Sequence, residues 1–465
     1  MREPTDRPNI ILINCDDLGY GDVGCYGSTV HRTPHLDRLA TEGMRFTDFY
    51  MASPVCTPSR GAMMTGCYPP RIGLATNEHG QWVLFPGDAT GLHPNEITIA
   101  ALLKQQGYST QLVGKWHLGD QPEFLPTRHG FDHYYGLPYS NDMGRQSGRP
   151  DDRFPPLPLL RDDRVIQQQP DQAALTERYT EEAVRFLREH PDDPFFLYFA
   201  HMHVHLPLYA PDHFLRESRN GRYGACVEAI DWSVGVLMDE IERLRLIDNT
   251  LILFTSDNGS AARERGSNAP LRGNKGSTWE GGMRLPLIAR WPGQIPASIE
   301  CNELTTSMDL LPTLARLAGT REPPDRIIDG SDIGALLRAE PNAVTPHETF
   351  FYYMKNDLEA VRSGKWKLFL RRTDRSSKTS VEVRELYDLK EDVGETTNTY
   401  ERHPDVVQRL MELADRGKHD LGCVASGIEG TGCRPPGHVD NARPLTEYDP
   451  EHPYIIAMYD LTEVG

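Results

Sequence analysis

The stretch TLILFTSDNG, residues 250–259, contains the pattern that decides the fold. Its run of apolar and β-branched residues predicts a buried strand, which stops at the polar group Ser256, Asp257 and Asn258. The residues before it, 223–244, have the apolar spacing of a helix. A helix that leads into a buried strand is the repeating unit of a parallel α/β sheet.

The same alternation recurs along the first three quarters of the chain. We predict strands at residues 9–14, 109–113 and 194–200 and helices at residues 97–106 and 173–189. This order is typical of a doubly wound α/β fold. We therefore expect a large, mainly parallel sheet sandwiched by helices.

The pattern changes beyond about residue 343. Short strands of a meander are predicted at residues 348–354, 358–362, 366–371 and 380–388, followed by a closing helix at residues 403–416. We expect a smaller α+β domain with an antiparallel sheet. The predicted domains are residues 1–343 and 344–465, and the Gly/Pro-rich stretch 418–465 is expected to wrap over the body as irregular chain.

Composition excludes some classes of function. The 465 residues include 49 Lys and Arg against 67 Asp and Glu, a formal charge of −18, which argues against binding to a nucleic-acid backbone. A small anionic substrate remains compatible with a local cationic pocket. No apolar run approaches the roughly 18–20 residues of a membrane span. Residues 1–8 are polar and lack a signal-peptide core, so we expect a cytoplasmic protein or one whose export signal has been removed.

The eight cysteines show no paired CxxC spacing of a zinc site. Cys423 and Cys433, ten positions apart, could form a disulfide. Buried free thiols are expected for the others, with Cys56 as the exception.

Polar residues follow four of the predicted strands. They are Asp16, Asp17, Lys115, His117, His205, Asp257 and Asn258. Ligands of open α/β sheets bind outside the carboxyl ends of the strands. We therefore expect these residues to converge on one crevice, although they span over 240 positions of sequence.

The two Asp-containing pairs supply hard oxygen ligands. Three carboxylates packed together repel one another and need a cation, and Ca²⁺ or Mg²⁺ fits an oxygen ligand set. The alternative for a single Asp-Asp pair is a helix cap or a solvated loop.

Lys115, His117, His205 and Lys275 are the candidates for charge stabilisation and proton transfer. Taken singly, each is more typical of a structural or solvated residue. Together with a divalent cation they predict a pocket for a tetrahedral oxyanion, with phosphoryl and sulfuryl esters as natural substrates. The loop around Lys275 lacks the spacing of a P-loop.

Cys56 lies in the stretch VCTPSRG, residues 55–61. At a helix N-terminus beside Arg60 its thiolate would be stabilised, so a Cys-His hydrolase with His117 or His205 as base is one hypothesis. A soft thiolate beside a hard cation makes this hypothesis less attractive.

The chain resembles the formylglycine-dependent sulfatases of the alkaline-phosphatase-like superfamily. The matching elements cover nearly the whole chain in order and are residues 8–10 with 16–22, 33–37, 56–60 with 65–66, 114–119, 254–259, 275–276 with 280–282, and 385–389. Residues 136–142 further resemble the arylsulfatase A and N-acetylgalactosamine-6-sulfatase branch.

The resemblance implies a role for each matching residue. Asp16, Asp17, residue 56, Asp257 and Asn258 would hold a cation, with Ca²⁺ preferred over Mg²⁺. Cys56 would be converted to formylglycine by a formylglycine-generating or an anaerobic sulfatase-maturating enzyme. The remaining roles are stabilisation of the formylglycine hydrate by Arg60, proton acceptance by His117, sulfate binding by Lys115, Lys275 and Ser140, and leaving-group protonation by His205, alone or together with Lys275.

The predicted activity is therefore hydrolysis of a sulfate ester of a sugar or an aryl alcohol. His201 and His203 are expected to have structural or rim roles. Polar residues that could line the leaving-group pocket favour a sulfated sugar; they are His79, Trp82, His133, Asn141, Asp142 and Arg145. The alternatives are a phosphodiesterase or phosphonate monoester hydrolase with the same machinery, and a non-catalytic binding protein on the same fold.

Overall fold

The computed structural model of the protein describes residues 7–145, 154–261, 265–373 and 379–445. The strands are β1 Asn9–Cys15, β2 Met44–Tyr50, β3 Thr90–Gly91, β4 Ser109–Gly114, β5 His133–Gly136, β6 Pro158–Arg161, β7 Arg164–Gln168, β8 Phe195–Ala200, β9 Thr250–Ser256, β10 Arg284–Arg290, β11 Ile299–Cys301, β12 Thr305–Thr306, β13 Phe350–Met354, β14 Asp357–Ser363, β15 Trp366–Thr373, β16 Ser380–Asp388 and β17 Gly437–His438. The α-helices are α1 Pro34–Thr41, α2 Cys56–Thr65, α3 Ile99–Gln105, α4 Leu175–Glu189, α5 Asp212–Glu217, α6 Gly221–Arg243, α7 Glu280–Met283, α8 Leu310–Leu317, α9 Gly334–Leu337 and α10 Pro404–Leu421.

The large sheet has the order β11-β2-β10-β9-β1-β8-β4-β5-β6-β7, with β12 also paired to β2. Within the described chain, only β6 and β10 of this sheet run against the other strands. The prediction of a large, mainly parallel sheet is confirmed. The strands predicted from their apolar runs are its four adjacent central members, β4, β8, β1 and β9.

Helices cover both faces of the large sheet. Along β1, Ile11 and Ile13 pack into the apolar layer shared with α4 and α6. Ile10 and Leu12 point to the opposite layer, shared with α2, α3 and α8. Because both faces are buried, the central strands are apolar throughout rather than alternating.

Several strands escaped prediction because they carry charged residues. Both β2 and β10 are buried, yet β2 contains Arg45 and Asp48. Asp48 accepts a hydrogen bond from Arg284 of β10 at 2.8 Å, and Arg45 pairs with Glu300 of β11. Because these partners lie far away in sequence, the charged residues of β2 and β10 are typical of surface loops when the sequence alone is considered.

The second sheet is antiparallel, with the order β13-β14-β15-β16, and α10 packs against it through β14. All four of its strands match predicted segments. The antiparallel C-terminal sheet is therefore confirmed.

The chain after α10 returns to the first part of the molecule. β17 pairs with β3, and Arg434 bonds Glu96 at 2.6 Å. Residues 446–465 of the predicted tail lie outside the described residues. Cys423 and Cys433 are both free thiols, so the disulfide considered for them is not formed. None of the helices in the described ranges is long and apolar enough to cross a membrane.

A buried charged cluster joins the two sheets. Lys367 of β15 has no exposed surface and pairs with Glu280 at 2.9 Å and Glu395 at 2.8 Å. Its ammonium also donates to the carbonyl oxygen of Thr278 at 2.8 Å. Glu280, at the start of α7, further accepts a hydrogen bond from Tyr352 at 2.9 Å. Lys367 thus forms ion pairs with one carboxyl group that precedes the second sheet in sequence, Glu280, and one that follows it, Glu395.

We predict that Lys367→Met lowers the free energy of unfolding by about 3–5 kcal/mol, because it removes the nearest cation from the buried carboxyl groups of Glu280 and Glu395. Urea denaturation followed by circular dichroism measures the change.

The matched control is Lys365→Met. Lys365 is 45% exposed and pairs with Asp388 near the surface. An exposed pair contributes about 0–1 kcal/mol, so this variant is expected to be nearly as stable as the wild type. Equal stability losses in the two variants would contradict the assigned role of Lys367.

Candidate active site

The carboxyl ends of β1, β4, β8 and β9 meet at one edge of the large sheet. Asp16 and Asp17 follow β1, Lys115 follows β4, and Asp257 follows β9. The segment after β8 bonds back to this edge, since the Asp16 amide donates to the carbonyl oxygen of His203 at 3.0 Å. The structure therefore brings the polar strand ends together, as the sequence pattern predicts.

Three carboxylates form the centre of the site. Asp16, Asp17 and Asp257 are at most 3% exposed. The Asp17 amide donates to Asp257 Oδ1 at 3.2 Å, and Asn258 Nδ2 donates to Asp17 Oδ1 at 2.7 Å. Asp17 has a φ of +65°, which is uncommon for a residue other than glycine and occurs here in a functional cluster.

Cationic side chains surround the carboxylates. Lys115 pairs with Asp16, Arg60 Nε with Asp257 at 2.8 Å, and Lys275 with Asp17 at 2.7 Å. Burial disfavours ionisation of Asp16, but Lys115 leads the positive charges that hold its pKa well below the usual range. Burial and the negative charge of Asp16 raise the pKa of Asp257 to about 6.

The oxygen atoms fit a hard divalent cation. Asp16 Oδ1 and Asn258 Oδ1 are buried and have no hydrogen-bond partner within the described residues. Buried acceptors without partners are rare and costly, and a cation would satisfy them. Carboxylate and amide oxygens are the ligands that Ca²⁺ and Mg²⁺ prefer. The site can therefore hold such an ion.

Cys56 begins α2 and reaches the carboxylate cluster. Ligand atoms of Cys56, Asp16 and Asp257 all lie within 4.8 Å of one another. Ser59 donates to the main-chain oxygen of Asp257, and Arg60 Nη1 donates to the carbonyl oxygen of Lys115 at 2.9 Å, so the first turn of α2 is tied to two strand ends.

The protonation of Cys56 differs from the expectation for an exposed helix N-terminus. Burial raises the pKa of the Cys56 thiol, and the opposing charges of Lys115 and Lys275 do not reverse this shift. The free thiol is therefore protonated at neutral pH. This disfavours the Cys-His hydrolase hypothesis.

His117 is buried and neutral. Burial and the charge of Lys115 lower its pKa well below the usual range. Nε2 lies 3.0 Å from the carbonyl oxygen of Leu84, which can only accept, so we assign the ring proton to Nε2. Nδ1, which lies 3.5 Å from Ser140 Oγ, is then a proton acceptor.

Ser140 links His117 to Lys115. Lys115 Nζ donates to Ser140 Oγ at 2.7 Å. Ser140 is 1% exposed, so its hydroxyl is held between the lysine and the imidazole.

The three histidines after β8 have different surroundings. His201 and His203 are each 1% exposed, and His201 Nε2 lies 3.1 Å from Ser233 Oγ. His205 is 12% exposed on its side chain, with Nε2 4.0 Å from Asp17 Oδ2. Its Nδ1 donates to the Leu206 carbonyl oxygen at 2.6 Å, which turns Nε2 away from its own loop. His205 is therefore the member of the three that is both partly exposed and near the carboxylates.

The residues considered for a leaving-group pocket differ in position and surroundings. His133 begins β5, at the opposite end of that strand from Ser140, and lies 3.5 Å from Asp162. Asn141 is buried and donates to Gln172 at 2.9 Å and to the carbonyl oxygen of Pro207 at 3.0 Å.

The other four are on loops. His79 is 69% exposed, Arg145 is also exposed, and Trp82 and Asp142 are half-buried.

Sequence reasoning missed the loop that covers the site. The Leu84 carbonyl oxygen accepts a hydrogen bond from His117 Nε2, and the Leu84 amide donates to Thr57 Oγ1 at 3.2 Å. A main-chain contact of this kind leaves no side-chain signal in the sequence. Thr57 lies inside the Cys56 motif, but nothing in the sequence indicates its partner.

Comparison with known families gives two matches. The family described as Sulfatase matches residues 8–320, and the domain described as N-sulphoglucosamine sulphohydrolase, C-terminal, matches residues 274–418.

Two curated relatives and one solved structure illustrate the similarity. The chain is 39% identical to rat (Rattus norvegicus) steryl-sulfatase, covering 79% of this chain and 77% of that protein. It is 42% identical to N-acetylgalactosamine-6-sulfatase of Canis lupus familiaris, covering 77% and 71% respectively. The solved structure of Ps i-CgsB in complex with k-i-k-neocarrahexaose is 31% identical, with a TM-score of 0.76 over 88% of this chain and 92% of that chain.

We predict that Asp17→Asn weakens binding of Ca²⁺ by at least about 10-fold, because calcium affinity depends on the number of charged ligands. Isothermal titration of chelator-treated protein with Ca²⁺ measures the affinity.

Asp120→Asn provides the control. Asp120 is also a 3%-exposed carboxyl group, but it accepts a hydrogen bond from the Gly87 amide at 2.8 Å and lies outside the cluster. Its variant is expected to bind Ca²⁺ like the wild type. Wild-type affinity in Asp17→Asn would show that the cluster is not the cation site.

Proposed function

The chain belongs to the sulfatase family and is a sulfuric ester hydrolase, and from this premise we propose that it removes sulfate from a sulfated saccharide by means of a formylglycine made from Cys56. The observation that carries the proposal is the position of Cys56. It begins α2 with its side chain within 4.8 Å of ligand atoms of Asp16 and Asp257. A residue placed there can face a cation and a bound sulfate group together.

Formylglycine at position 56 would supply an aldehyde hydrate as the nucleophile. Its two oxygens are harder ligands than a thiol, so the modified residue suits the oxygen cluster better than Cys56 itself. The guanidinium of Arg60 is 1% exposed and lies one helical turn after residue 56, where it can stabilise the hydrate.

The modification requires a maturing enzyme as a partner. Cys56 is 2% exposed in the folded chain, so a formylglycine-generating or anaerobic sulfatase-maturating enzyme would have to act before folding is complete.

The cation of the site would be Ca²⁺, held by Asp16, Asp17, Asp257, Asn258 and residue 56. When bound, such an ion offsets negative charge and orients oxygen groups. The fit is supported by the two partnerless oxygens of Asp16 and Asn258 and by the all-oxygen character of the protein ligands.

Lys115, Lys275 and Ser140 would bind the sulfate oxygens. The two ammonium groups lie beside the carboxylate cluster, where Lys115 pairs with Asp16 and Lys275 pairs with Asp17. Positioned donors of this kind stabilise charge that develops on an oxyanion. Ser140 Oγ accepts a hydrogen bond from the Lys115 ammonium, so it helps to hold the lysine in place. Its own hydroxyl proton would then be donated to sulfate.

His117 would accept the proton that leaves the second hydroxyl of the hydrate. Its neutral ring has Nδ1 available as an acceptor because Nε2 donates to the Leu84 carbonyl oxygen. The main-chain hydrogen bond fixes the tautomer of the neutral ring, so the incoming proton would bind at Nδ1.

His205, alone or together with Lys275, would protonate the leaving oxygen. His205 and Lys275 are 12% and 14% exposed on their side chains, more than the other charged groups of the cluster, so they lie at the entrance where the leaving group departs. A sugar alkoxide is a poor leaving group and benefits most from such an acid.

A saccharide substrate is supported by similarity. The chain resembles N-acetylgalactosamine-6-sulfatase and a protein solved with a neocarrahexaose. Its likeness to steryl-sulfatase supports the competing assignment, a steryl or aryl sulfate. Direct assays separate the two.

We predict a mass about 18 Da below the encoded value at residue 56 in active protein, the difference between a thiol and an aldehyde. Peptide mass spectrometry measures it on protein from a host that has a maturing enzyme.

Cys56→Ala is expected to lower kcat on sulfate esters by more than about 10⁴-fold while keeping the fold, because it removes the nucleophile.

Cys67→Ala serves as the control, since Cys67 is also buried and lies just beyond the same helix. It should keep near-wild-type kcat. Full activity in Cys56→Ala would rule out the formylglycine mechanism.

Sulfated sugars, steryl sulfate and the corresponding phosphate and phosphonate esters are assayed in parallel. A higher kcat/KM on phosphorus esters would contradict sulfatase activity.

We further predict that His205→Ala affects substrates according to their leaving group. Sulfated sugars should lose about 10²–10⁴-fold in kcat, whereas nitrophenyl sulfate should lose less than about 10-fold, because a good leaving group needs no proton. Steady-state kinetics on both substrates measures the difference.

The control is His213→Ala, which changes an exposed histidine of α5. It should leave both rates unchanged. Equal losses on the two substrates in His205→Ala would argue against a general-acid role.

A further inference from the structure

A second group of metal-ligating side chains lies in the loop between α2 and α3. One ligand atom from each of Glu78, His79 and Asp88 lies within 4.8 Å of the other two. His79 Nε2 is 3.5 Å from Glu78 Oε1. None of these residues belongs to the carboxylate cluster of the active site.

A fourth ligand comes from the C-terminal segment. β17 pairs with β3, which sets His438 opposite Thr90. His438 Nδ1 lies 3.9 Å from Glu78 Oε2. A second imidazole, from a distant part of the chain, therefore lies beside the group of three, next to the other carboxylate oxygen of Glu78. The imidazoles distinguish these residues from an acidic surface cluster.

The carboxylates are held in place by groups behind them. Glu78 accepts hydrogen bonds from the Ala89 amide at 3.2 Å and from Thr90 Oγ1 at 3.4 Å. Asp88 Oδ2 accepts from Asn77 Nδ2 and from a main-chain amide, each at 2.8 Å. Such partners orient metal ligands and raise affinity.

A tetrahedral metal site needs a closer spacing than the one observed. Zinc binds nitrogen and oxygen at about 2.0–2.2 Å, which puts neighbouring ligand atoms about 3.3 Å apart. His79 Nε2 is 3.5 Å from one oxygen of Glu78 and His438 Nδ1 is 3.9 Å from the other, while the group of Glu78, His79 and Asp88 spans up to 4.8 Å, so metal binding requires a contraction of the group. His79 and His438 are 69% and 61% exposed on their side chains, so their rings are free to make it. Imidazole ligands favour transition metals over Ca²⁺.

We propose that Glu78, His79, Asp88 and His438 form a binding site for a divalent transition-metal ion, with zinc as its probe, and that the ion fastens the C-terminal segment to the loop over the active site.

The surrounding contacts show what such an ion would fasten. The Val439 amide donates to the carbonyl oxygen of Ala89 at 3.0 Å. Pro444 packs so closely on Gly87 that a Cβ there would lie 2.8 Å from it. The same loop contains Leu84, which bonds Thr57 and His117. Metal binding would thus hold together two segments that adjoin the active site.

The test is a zinc titration by isothermal calorimetry in saturating Ca²⁺. We expect one zinc ion per chain in the wild type, and affinity weakened by about 10-fold or more in His79→Ala and in His438→Ala. Hydrogen exchange gives a second readout, because zinc should slow exchange of the Val439 amide in the wild type and not in His438→Ala.

Three control variants are expected to bind zinc like the wild type. His133→Ala removes a histidine that is 59% exposed beside a carboxylate, as His79 is. Cys433→Ser removes an exposed thiol that could bind zinc by itself. Asp17→Asn alters the catalytic cluster, so its zinc affinity keeps this result separate from the sulfatase proposal.

Two results would overturn the inference. Equal zinc affinity in His79→Ala, His438→Ala and His133→Ala would show that the four residues are not a site. A loss in His79→Ala without a loss in His438→Ala would show that the C-terminal segment takes no part.

Discussion

The buried charge balance at the end of the large sheet is the constraint on which the rest of the site depends. Asp16, Asp17 and Asp257 have almost no exposed surface, and their mutual repulsion would be costly without nearby positive charge. Two lysines and one arginine from three other segments supply part of it. Lys115 follows β4, Arg60 lies within α2 and Lys275 lies in the loop before α7, so the fold must be complete before the charges balance.

The C-terminal sheet contributes to this balance through the loop that carries Lys275. The Gly276 amide of that loop donates to the carbonyl oxygen of Pro54, just before α2, at 2.8 Å. A few residues later, Thr278 donates to Glu359 of the second sheet, and Lys367 binds the Thr278 carbonyl oxygen. The second sheet therefore supports one wall of the catalytic site, although it supplies none of the proposed catalytic residues.

Prediction from sequence succeeded where local chemistry is sufficient. The central strands could be recognised because both of their faces are buried, which makes their sequences continuously apolar. The strands β2 and β10 could not, because the buried charges of Asp48 and Arg284 are explained only by partners that lie far away in sequence, including each other. In the site, side chains at strand ends could be identified, whereas the Leu84 contact with His117 could not, since it uses a carbonyl oxygen that every residue has.

The sequence by itself determined the order of the central strands and the helices between them, the acidic character of the strand ends and the Cys56 motif, because these follow from residue type and spacing. Only the tertiary structure decided which nitrogen of His117 carries the proton, that Cys56 is buried and protonated, and that His438 lies 3.9 Å from Glu78. Those properties depend on distances between segments that are far apart in sequence. Such distances are set by packing and hydrogen bonding across the whole molecule rather than by any local pattern.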